Sequence, residues 1–143
     1  MSGGPGQSSL FSVFYENGPW KFRKNGFSKE EESKFKIELN PYSWNMFANM
    51  LYIDSPIGTG FSKASDAEKY VSTTDEVVSY VETFLAKFLD EHPKFKGRDF
   101  YIAGKSYSGR FVAALTRRLL AKEFDLNLKG IAIGNGDIDP YTQ

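Results

Sequence analysis

One serine lies where the sequence is best suited to nucleophilic chemistry. Ser106 sits in the segment Gly104-Lys105-Ser106-Tyr107-Ser108-Gly109, after the short apolar run 100–103 and before residues with helical periodicity. A turn from a strand into a helix can hold a serine in a strained backbone conformation, provided that small residues flank it. The Ser106 hydroxyl would then project beside the N-terminus of the helix, where developing negative charge is stabilised. The segment therefore contains a candidate nucleophile.

The motif is incomplete by itself. In the pattern Gly-x-Ser-x-Gly the last position is a glycine, whereas here Ser108 occupies it and Gly109 comes one residue later. A glycine and a serine between a strand and a helix also occur as ordinary turn residues. The segment alone leaves two interpretations open, a nucleophile at Ser106 and a plain turn.

Two helices are predicted around this segment. Apolar residues at spacings of three and four run from Val77 to Leu89, and Thr73 and Glu76 have the spacing of a capping box at the start. A second helix is predicted after Ser106, with Phe111, Leu115 and Leu119 one turn apart and basic residues in its last turns. A short helix or turn is expected at 10–15.

The predicted strands alternate with these helices. Period-two alternation and short apolar runs predict strands at 35–39, 50–53, 100–103 and 129–134. The charged, aperiodic stretch 22–36 is expected to be a solvated connection. Strands that alternate with helices indicate an α/β fold with a mostly parallel sheet, here in one domain that covers residues 1–143.

Composition limits the classes of function. Lys plus Arg and Asp plus Glu number 18 each, so the net charge of zero provides no long-range field for nucleic acid or an anionic membrane. No run of 18 apolar residues predicts a membrane span. The sequence has no cysteine and a single histidine, and it lacks the glycine spacing of a phosphate-binding loop. We therefore expect neither a bound metal nor a bound cofactor.

Four separated segments together resemble the serine carboxypeptidase family. In chain order they are Gly3-Gly4-Pro5-Gly6-Gln7-Ser8-Ser9 with Tyr15-Glu16-Asn17-Gly18-Pro19, Trp44-Asn45 with residues 48–62, residues 104–109, and residues 128–136. Their order and spacing also match the family, and they cover nearly the whole chain. The resemblance implies an α/β-hydrolase fold and a hydrolase that removes residues from the C-termini of peptides or proteins. It also implies a lysosomal, vacuolar or secreted location.

The resemblance implies a role for each residue that matches the family's site. Ser106 would be the nucleophile, and the backbone N–H groups of Gly4 and Tyr107 would form the oxyanion hole. The residues implied in binding the terminal carboxylate of the substrate are Ser2, Gly3, Glu16 and Lys105. The chain departs from the family twice, with Ser2 in place of an asparagine and Lys105 in place of a glutamate.

Lys105 has two interpretations. A cation beside the site would attract a carboxylate directly, whereas a glutamate must be protonated before it can donate a hydrogen bond. Lys105 would then preserve carboxylate recognition at neutral pH. Alternatively, its side chain turns to solvent, as most lysines do.

The remaining triad residues are not expected in this chain. The family order is serine, acid, histidine, so His92, which precedes Ser106 and ends the first long helix, is predicted to be an exposed helix-terminal residue. Asp137 and Asp139 are predicted to be turn residues before Pro140. We therefore expect an interior piece of the family's domain, without efficient catalysis alone. An acyltransferase of the same family and a noncatalytic binding protein are the alternative functions.

Overall fold

The computed structural model describes residues 1–24, 35–66, 69–122 and 124–143. Within these residues the chain forms two sheets of two strands each and three α-helices. The elements are α1 (Leu10–Tyr15), β1 (Trp20–Lys24), β2 (Phe35–Leu39), α2 (Thr74–Glu91), β3 (Asp99–Lys105), α3 (Ser108–Leu120) and β4 (Asn127–Gly134). Short 3₁₀ turns lie at Trp44–Met46 and Pro93–Phe95.

The parallel sheet positions the candidate nucleophile. Strands β3 and β4 pair in parallel from Asp99 opposite Asn127 to Lys105 opposite Gly134, and α3 connects them. Helices α2 and α3 contribute the core that packs with Ile102 of β3. The buried apolar residues of this core are Val77, Val78, Val81, Leu85, Ile102, Phe111, Val112, Leu115 and Leu119. The predicted α/β arrangement is therefore present.

Helix α2 begins as its sequence predicts. The Thr73 side chain accepts a hydrogen bond from the Glu76 N–H at 3.3 Å, and the Glu76 carboxylate accepts one from the Thr73 N–H at 3.0 Å. This capping box satisfies two backbone donors that have no partner inside the helix. The apolar face of this helix is unevenly buried, because Phe84 is 40% exposed whereas Leu85 is 2% exposed.

The predicted connection over 22–36 is wrong at its start, whereas the strand predicted at 35–39 is confirmed as β2. Residues 22–24 belong to β1 and residues 35 and 36 to β2, and these two strands pair antiparallel. The Phe22 ring packs on Phe14 of α1, with centroids 4.5 Å apart, and lies 6.2 Å from the Phe35 ring. These contacts join segments that are distant in sequence, so local charge did not reveal them. The centre of the predicted connection lies outside the described residues.

The strand predicted at 50–53 is also wrong. These residues form no strand in the described part of the chain. The Ile53 carbonyl instead accepts a hydrogen bond from the side chain of Ser9. A short apolar run favours burial but does not specify a partner strand. Here the run at 50–53 is part of a loop.

Candidate active site

The backbone turns sharply at Ser106, between β3 and α3. Its φ of 53° lies in the left-handed region, which costs a residue with a side chain about 1 to 3 kcal/mol. The Ser106 N–H donates to the Gly134 carbonyl at 3.0 Å, and its carbonyl accepts from the N–H groups of Gly109 at 2.9 Å and Asp137 at 3.0 Å. These three hydrogen bonds hold the strained conformation that the motif predicts.

Close packing explains the small residues around the turn. A Cβ on Gly104 would lie 2.7 Å from Val112 Cγ2, and one on Gly109 would lie 2.9 Å from the Asp137 carbonyl oxygen. Ser108 stands where the complete pattern has a glycine, and it is fully buried. Its hydroxyl donates to the Ser2 carbonyl. The departure from the pattern thus gives the turn a hydrogen bond to the first residues of the chain.

The first glycine loop lies directly against the candidate nucleophile. The Met1 nitrogen donates to the Ala103 carbonyl at 2.9 Å, which places this segment beside the carboxyl end of β3. A Cβ built on Gly3 would lie 2.7 Å from Ser106 Cβ and 3.0 Å from Ser106 Oγ. Only a residue without a side chain allows this approach.

Two backbone donors beside Ser106 are free. Among the described residues, no acceptor receives the N–H of Gly4 or of Tyr107. Gly4 follows the glycine that touches Ser106 and has a φ of 119°, and Tyr107 is the next residue along the chain. Ser106 is exposed, and its hydroxyl has no hydrogen-bond partner within the described ranges. The arrangement leaves both donors and the hydroxyl available to a ligand.

A chain of hydrogen bonds connects three of the four residues implied in carboxylate binding, Ser2, Glu16 and Lys105. The hydroxyls of Ser2 and Ser12 are 3.1 Å apart, and Ser12 donates to Glu16 Oε2 at 2.6 Å. The other carboxylate oxygen of Glu16 accepts from Lys105 Nζ. The sequence interpretation missed Ser12, although its position one helical turn before Glu16 is a signal that could have found it. Ser2 is 1% exposed, and its side chain is connected to Glu16 through Ser12.

The side chain of Lys105 lies against the protein. Its Nζ forms the ion pair with Glu16 and lies 4.7 Å from the centroid of the Phe11 ring, within the range of a cation–π contact. The interpretation in which Lys105 turns to solvent is therefore wrong for this structure.

Glu16 is negatively charged at neutral pH. Burial raises its pKa, but the hydrogen bonds from Lys105 and Ser12 and the positive charge of Lys105 outweigh burial, so the pKa lies below the ordinary 4.5. Burial lowers the pKa of the Met1 amino group against the opposing effect of Glu16. Burial and the Glu16 charge both raise the pKa of Tyr52. The pair with Lys105 is thus a pair of charges.

Asp54 connects the first glycine loop (residues 3–6) to a second one (residues 58–60), an arrangement that the sequence interpretation did not assign. Its Oδ1 accepts from the Ser8 hydroxyl and the Ser9 N–H, each at 2.7 Å. Its Oδ2 accepts from the Phe61 N–H at 3.0 Å. Asp54 therefore fixes the loop whose glycines lie beside Ser106.

His92 is not beside the candidate nucleophile. It is exposed at the C-terminal end of α2, where its ring lies 4.8 Å from that of Phe88. Helix α2 leads into the amino end of β3, whereas Ser106 follows the carboxyl end of that strand. The prediction of an exposed helix-terminal histidine is confirmed.

The two aspartates near the end of the chain have different roles. Asp139 accepts hydrogen bonds from the Tyr141 N–H and the Thr142 hydroxyl, so its prediction as a turn residue is confirmed. Asp137 instead forms an ion pair with Arg110 at 2.8 Å, which the turn prediction did not include. Its backbone also donates to Ser106, as described above.

Comparison with known proteins decides the family. A profile described as serine carboxypeptidase matches residues 1–143, which is the whole chain. The chain belongs to the serine carboxypeptidase family. A serine carboxypeptidase family member of Dictyostelium discoideum is 43% identical over all of this chain and 33% of its own length. The venom serine carboxypeptidase of Apis mellifera is 40% identical over all of this chain and 30% of its own length.

A solved structure supports the same fold. The crystal structure of a prohormone-processing carboxypeptidase from Saccharomyces cerevisiae matches with a TM-score of 0.83 and 31% sequence identity. The match covers 99% of this chain and 30% of that one. The predicted partial α/β-hydrolase fold is confirmed. The chain spans about a third of the length of these serine carboxypeptidases.

The described residues contain neither a candidate membrane-spanning helix nor a candidate metal group. No helix there combines the length and apolar character needed to cross a membrane. In the same residues, no group of three or more His, Cys, Asp or Glu side chains is placed to hold a metal ion.

Proposed function

We propose that this chain carries the nucleophile and part of the substrate site of a serine carboxypeptidase. Ser106 would attack the carbonyl carbon of the last peptide bond of a peptide or protein. The observation that carries the proposal is the exposed Ser106 hydroxyl on a strained turn, in direct contact with Gly3, in a chain of this family. A lysosomal, vacuolar or secreted location is proposed with it, supported by the name of the Apis venom relative.

The free backbone donors suit the charge that this reaction develops. Attack by Ser106 converts the carbonyl oxygen into an oxyanion, which the N–H groups of Gly4 and Tyr107 would stabilise. Loss of one such donor costs roughly 2.7 to 4 kcal/mol of transition-state stabilisation in a well-studied protease. Because these donors have no acceptor among the described residues, an incoming oxyanion displaces no internal hydrogen bond.

The reaction also needs a general base for the Ser106 proton. No described side chain forms a hydrogen bond with the hydroxyl, and His92 lies at the other end of β3. Imidazole in solution can accept a proton as a histidine side chain does. This property allows the nucleophile to be tested independently of the base.

The test is covalent labelling by a fluorophosphonate probe, with and without added imidazole, after circular dichroism has established folding. We expect imidazole to accelerate labelling and Ser106→Ala to abolish it. Ser65→Ala, which removes an exposed serine from the loop before α2, is the matched control and should label like the parent chain.

Folded protein that stays unlabelled at every imidazole concentration would contradict the proposal. It would favour a noncatalytic binding protein, the alternative that the unpartnered Ser106 hydroxyl also permits. Equal labelling of Ser106→Ala would contradict the assignment of the nucleophile.

A further inference from the structure

Three serines near the candidate nucleophile are almost fully buried. Ser2 is 1% exposed, Ser9 2% and Ser108 0%, although serine is usually a surface residue. A buried hydroxyl or peptide group without a hydrogen-bond partner destabilises a fold, so buried polar groups are normally paired. We call Ser2, Ser9 and Ser108 the buried serine cluster. Their hydrogen bonds connect the first glycine loop to the turn at Ser106.

Ser2 is held by hydrogen bonds on both sides of its backbone. Its carbonyl accepts from the Ser108 hydroxyl, and its N–H donates to Ser9 Oγ at 3.3 Å. Ser108 comes directly after Tyr107, and Ser2 comes two positions before Gly4. The hydrogen bonds of the Ser2 backbone therefore lie close to both free N–H groups, those of Gly4 and Tyr107.

The Ser9 hydroxyl does not cap its own helix. Ser9 occupies the N-cap position of α1, where a serine side chain commonly accepts a helix N–H, but it makes no such bond here. The hydroxyl instead donates to the Ile53 carbonyl and accepts from the Ser2 N–H. The Ser9 N–H donates to Asp54 Oδ1 at 2.7 Å. Ser9 therefore connects Ser2 to the segment that contains Asp54.

We propose that Ser9 and Ser108 are positioning residues for the oxyanion hole. The inference rests on the proposed function and deepens it, because the N–H groups of Gly4 and Tyr107 would receive the oxyanion. Ser108 holds the glycine loop against α3, and Ser9 holds the same loop against the segment after β2. Together they set the separation of the two donors before a ligand arrives. Donors that are fixed in advance stabilise a transition state without having to reorganise.

Ser108 is also where the chain departs from the pattern Gly-x-Ser-x-Gly. The pattern by itself predicts that Ser108→Gly should preserve or raise the reactivity of Ser106. The positioning role predicts the opposite, because glycine lacks the hydroxyl that holds the Ser2 carbonyl. This carbonyl would then have lost the partner that it has among the described residues. The two expectations can be separated by experiment.

The experiment measures the rate of fluorophosphonate labelling of Ser106 with imidazole present, as a function of probe concentration. We expect Ser108→Ala and Ser108→Gly to lower the limiting rate by at least about tenfold, because the donors move away from the reacting oxygen. The probe concentration that gives half of the limiting rate should change little. Ser9→Ala should lower the limiting rate in the same way, and it tests the opposite side of the loop.

Ser43→Ala is the matched control for loss of a buried hydroxyl. Ser43 is 4% exposed, and its side chain also donates to a backbone carbonyl, that of Asn17. This variant should lose thermal stability but label at the parent rate wherever circular dichroism shows that it is folded. An equal fall in the labelling rates of Ser43→Ala and Ser108→Ala would show a general loss of stability and would overturn the inference.

Amide chemical shifts of the isotope-labelled chain report on the donors without any reaction. We expect Ser108→Ala to shift the Gly4 amide resonance and Ser9→Ala to shift that of Tyr107, since each pair is distant in sequence. Ser43→Ala should leave both resonances in place. Unshifted resonances in the first two variants, or labelling of those variants at the parent rate, would overturn the inference. A parent chain that stays unlabelled would contradict the proposed function, and the amide shifts would still decide whether the serines position the donors.

Discussion

At the scale of single residues, contact between two distant segments defines the candidate site. Gly3 and Ser106 lie in van der Waals contact although they are more than 100 positions apart, and Ser108 holds the same segment through the Ser2 carbonyl. The turn supplies the exposed hydroxyl, and the glycine loop supplies a backbone that can approach it. Reactivity of Ser106 should therefore depend on the absence of a side chain at position 3.

Gly3→Ala should slow fluorophosphonate labelling in the presence of imidazole by about 10²-fold, the size of effect expected from a displacement near 1 Å. The added Cβ would overlap Ser106 Cβ at 2.7 Å, so the hydroxyl or the loop must move. Gly130→Ala is the control, because its Cβ would make only an ordinary contact of 3.5 Å with the Tyr101 ring. Labelling of Gly3→Ala at the parent rate would show that the two segments are not in contact.

At the scale of elements, ionic contacts join α2 to α3, the helix that follows the nucleophile. The Glu82 carboxylate, on a largely buried face of α2, accepts hydrogen bonds from Arg118 and, at 2.6 Å, from Lys122. The hydrogen bond from Lys122, followed by that from Arg118, lowers the pKa of Glu82 below the ordinary 4.5. A carboxyl group with a lowered pKa in the folded state stabilises the fold above its unfolded-state pKa.

The contribution of Glu82 should disappear at acidic pH. We expect the parent chain to have a higher Tm than Glu82→Gln at neutral pH. This difference should begin to shrink as the pH falls below the ordinary pKa of 4.5, and it should be lost as the pH falls through the lowered pKa of Glu82 in the folded chain. Thermal unfolding followed by circular dichroism measures the difference. Glu91→Gln, at the exposed end of the same helix, is the control. A Tm difference for Glu82→Gln that is independent of pH would contradict the ionic role.

At the scale of the whole molecule, the stretch 39–47 carries several exposed apolar side chains. Met46 is 73% exposed and Phe47 76%, next to the partly exposed ring of Trp44. Leu39 and Tyr42 extend the same segment with 79% and 81% exposure. Exposed apolar side chains in this number offer binding sites for apolar dyes.

We expect the folded chain to bind anilinonaphthalene sulfonate at neutral pH, with increased dye fluorescence. The double substitution of Met46→Ser and Phe47→Ser should reduce the fluorescence, because it removes the most exposed adjacent pair. Tyr141→Ser is the control, since Tyr141 is 95% exposed near the end of the chain and away from this segment. An unchanged signal in the double variant would show that the dye binds elsewhere.

The sequence predicts the helices and the central turn well because their signals are local. The capping box of Thr73 and Glu76, and the spacing of Phe111, Leu115 and Leu119, lie within contiguous residues. Periodicity does not show how much of an apolar face will be covered by other elements, and Phe84 stays 40% exposed. The prediction at 50–53 was wrong because strand formation requires a partner that the run does not specify.

The sequence by itself determined the family, the candidate nucleophile and the order of helices and strands around it. These properties depend on residue types at fixed spacing, and the four matching segments carry them without reference to contacts. Only the tertiary structure decided that Gly3 touches Ser106, that Ser12 connects Ser2 to Glu16, and that Lys105 pairs with an acid 89 positions away. The reason is physical: local patterns specify conformation, whereas the partner of a charged or polar side chain depends on which segments the folded core brings together.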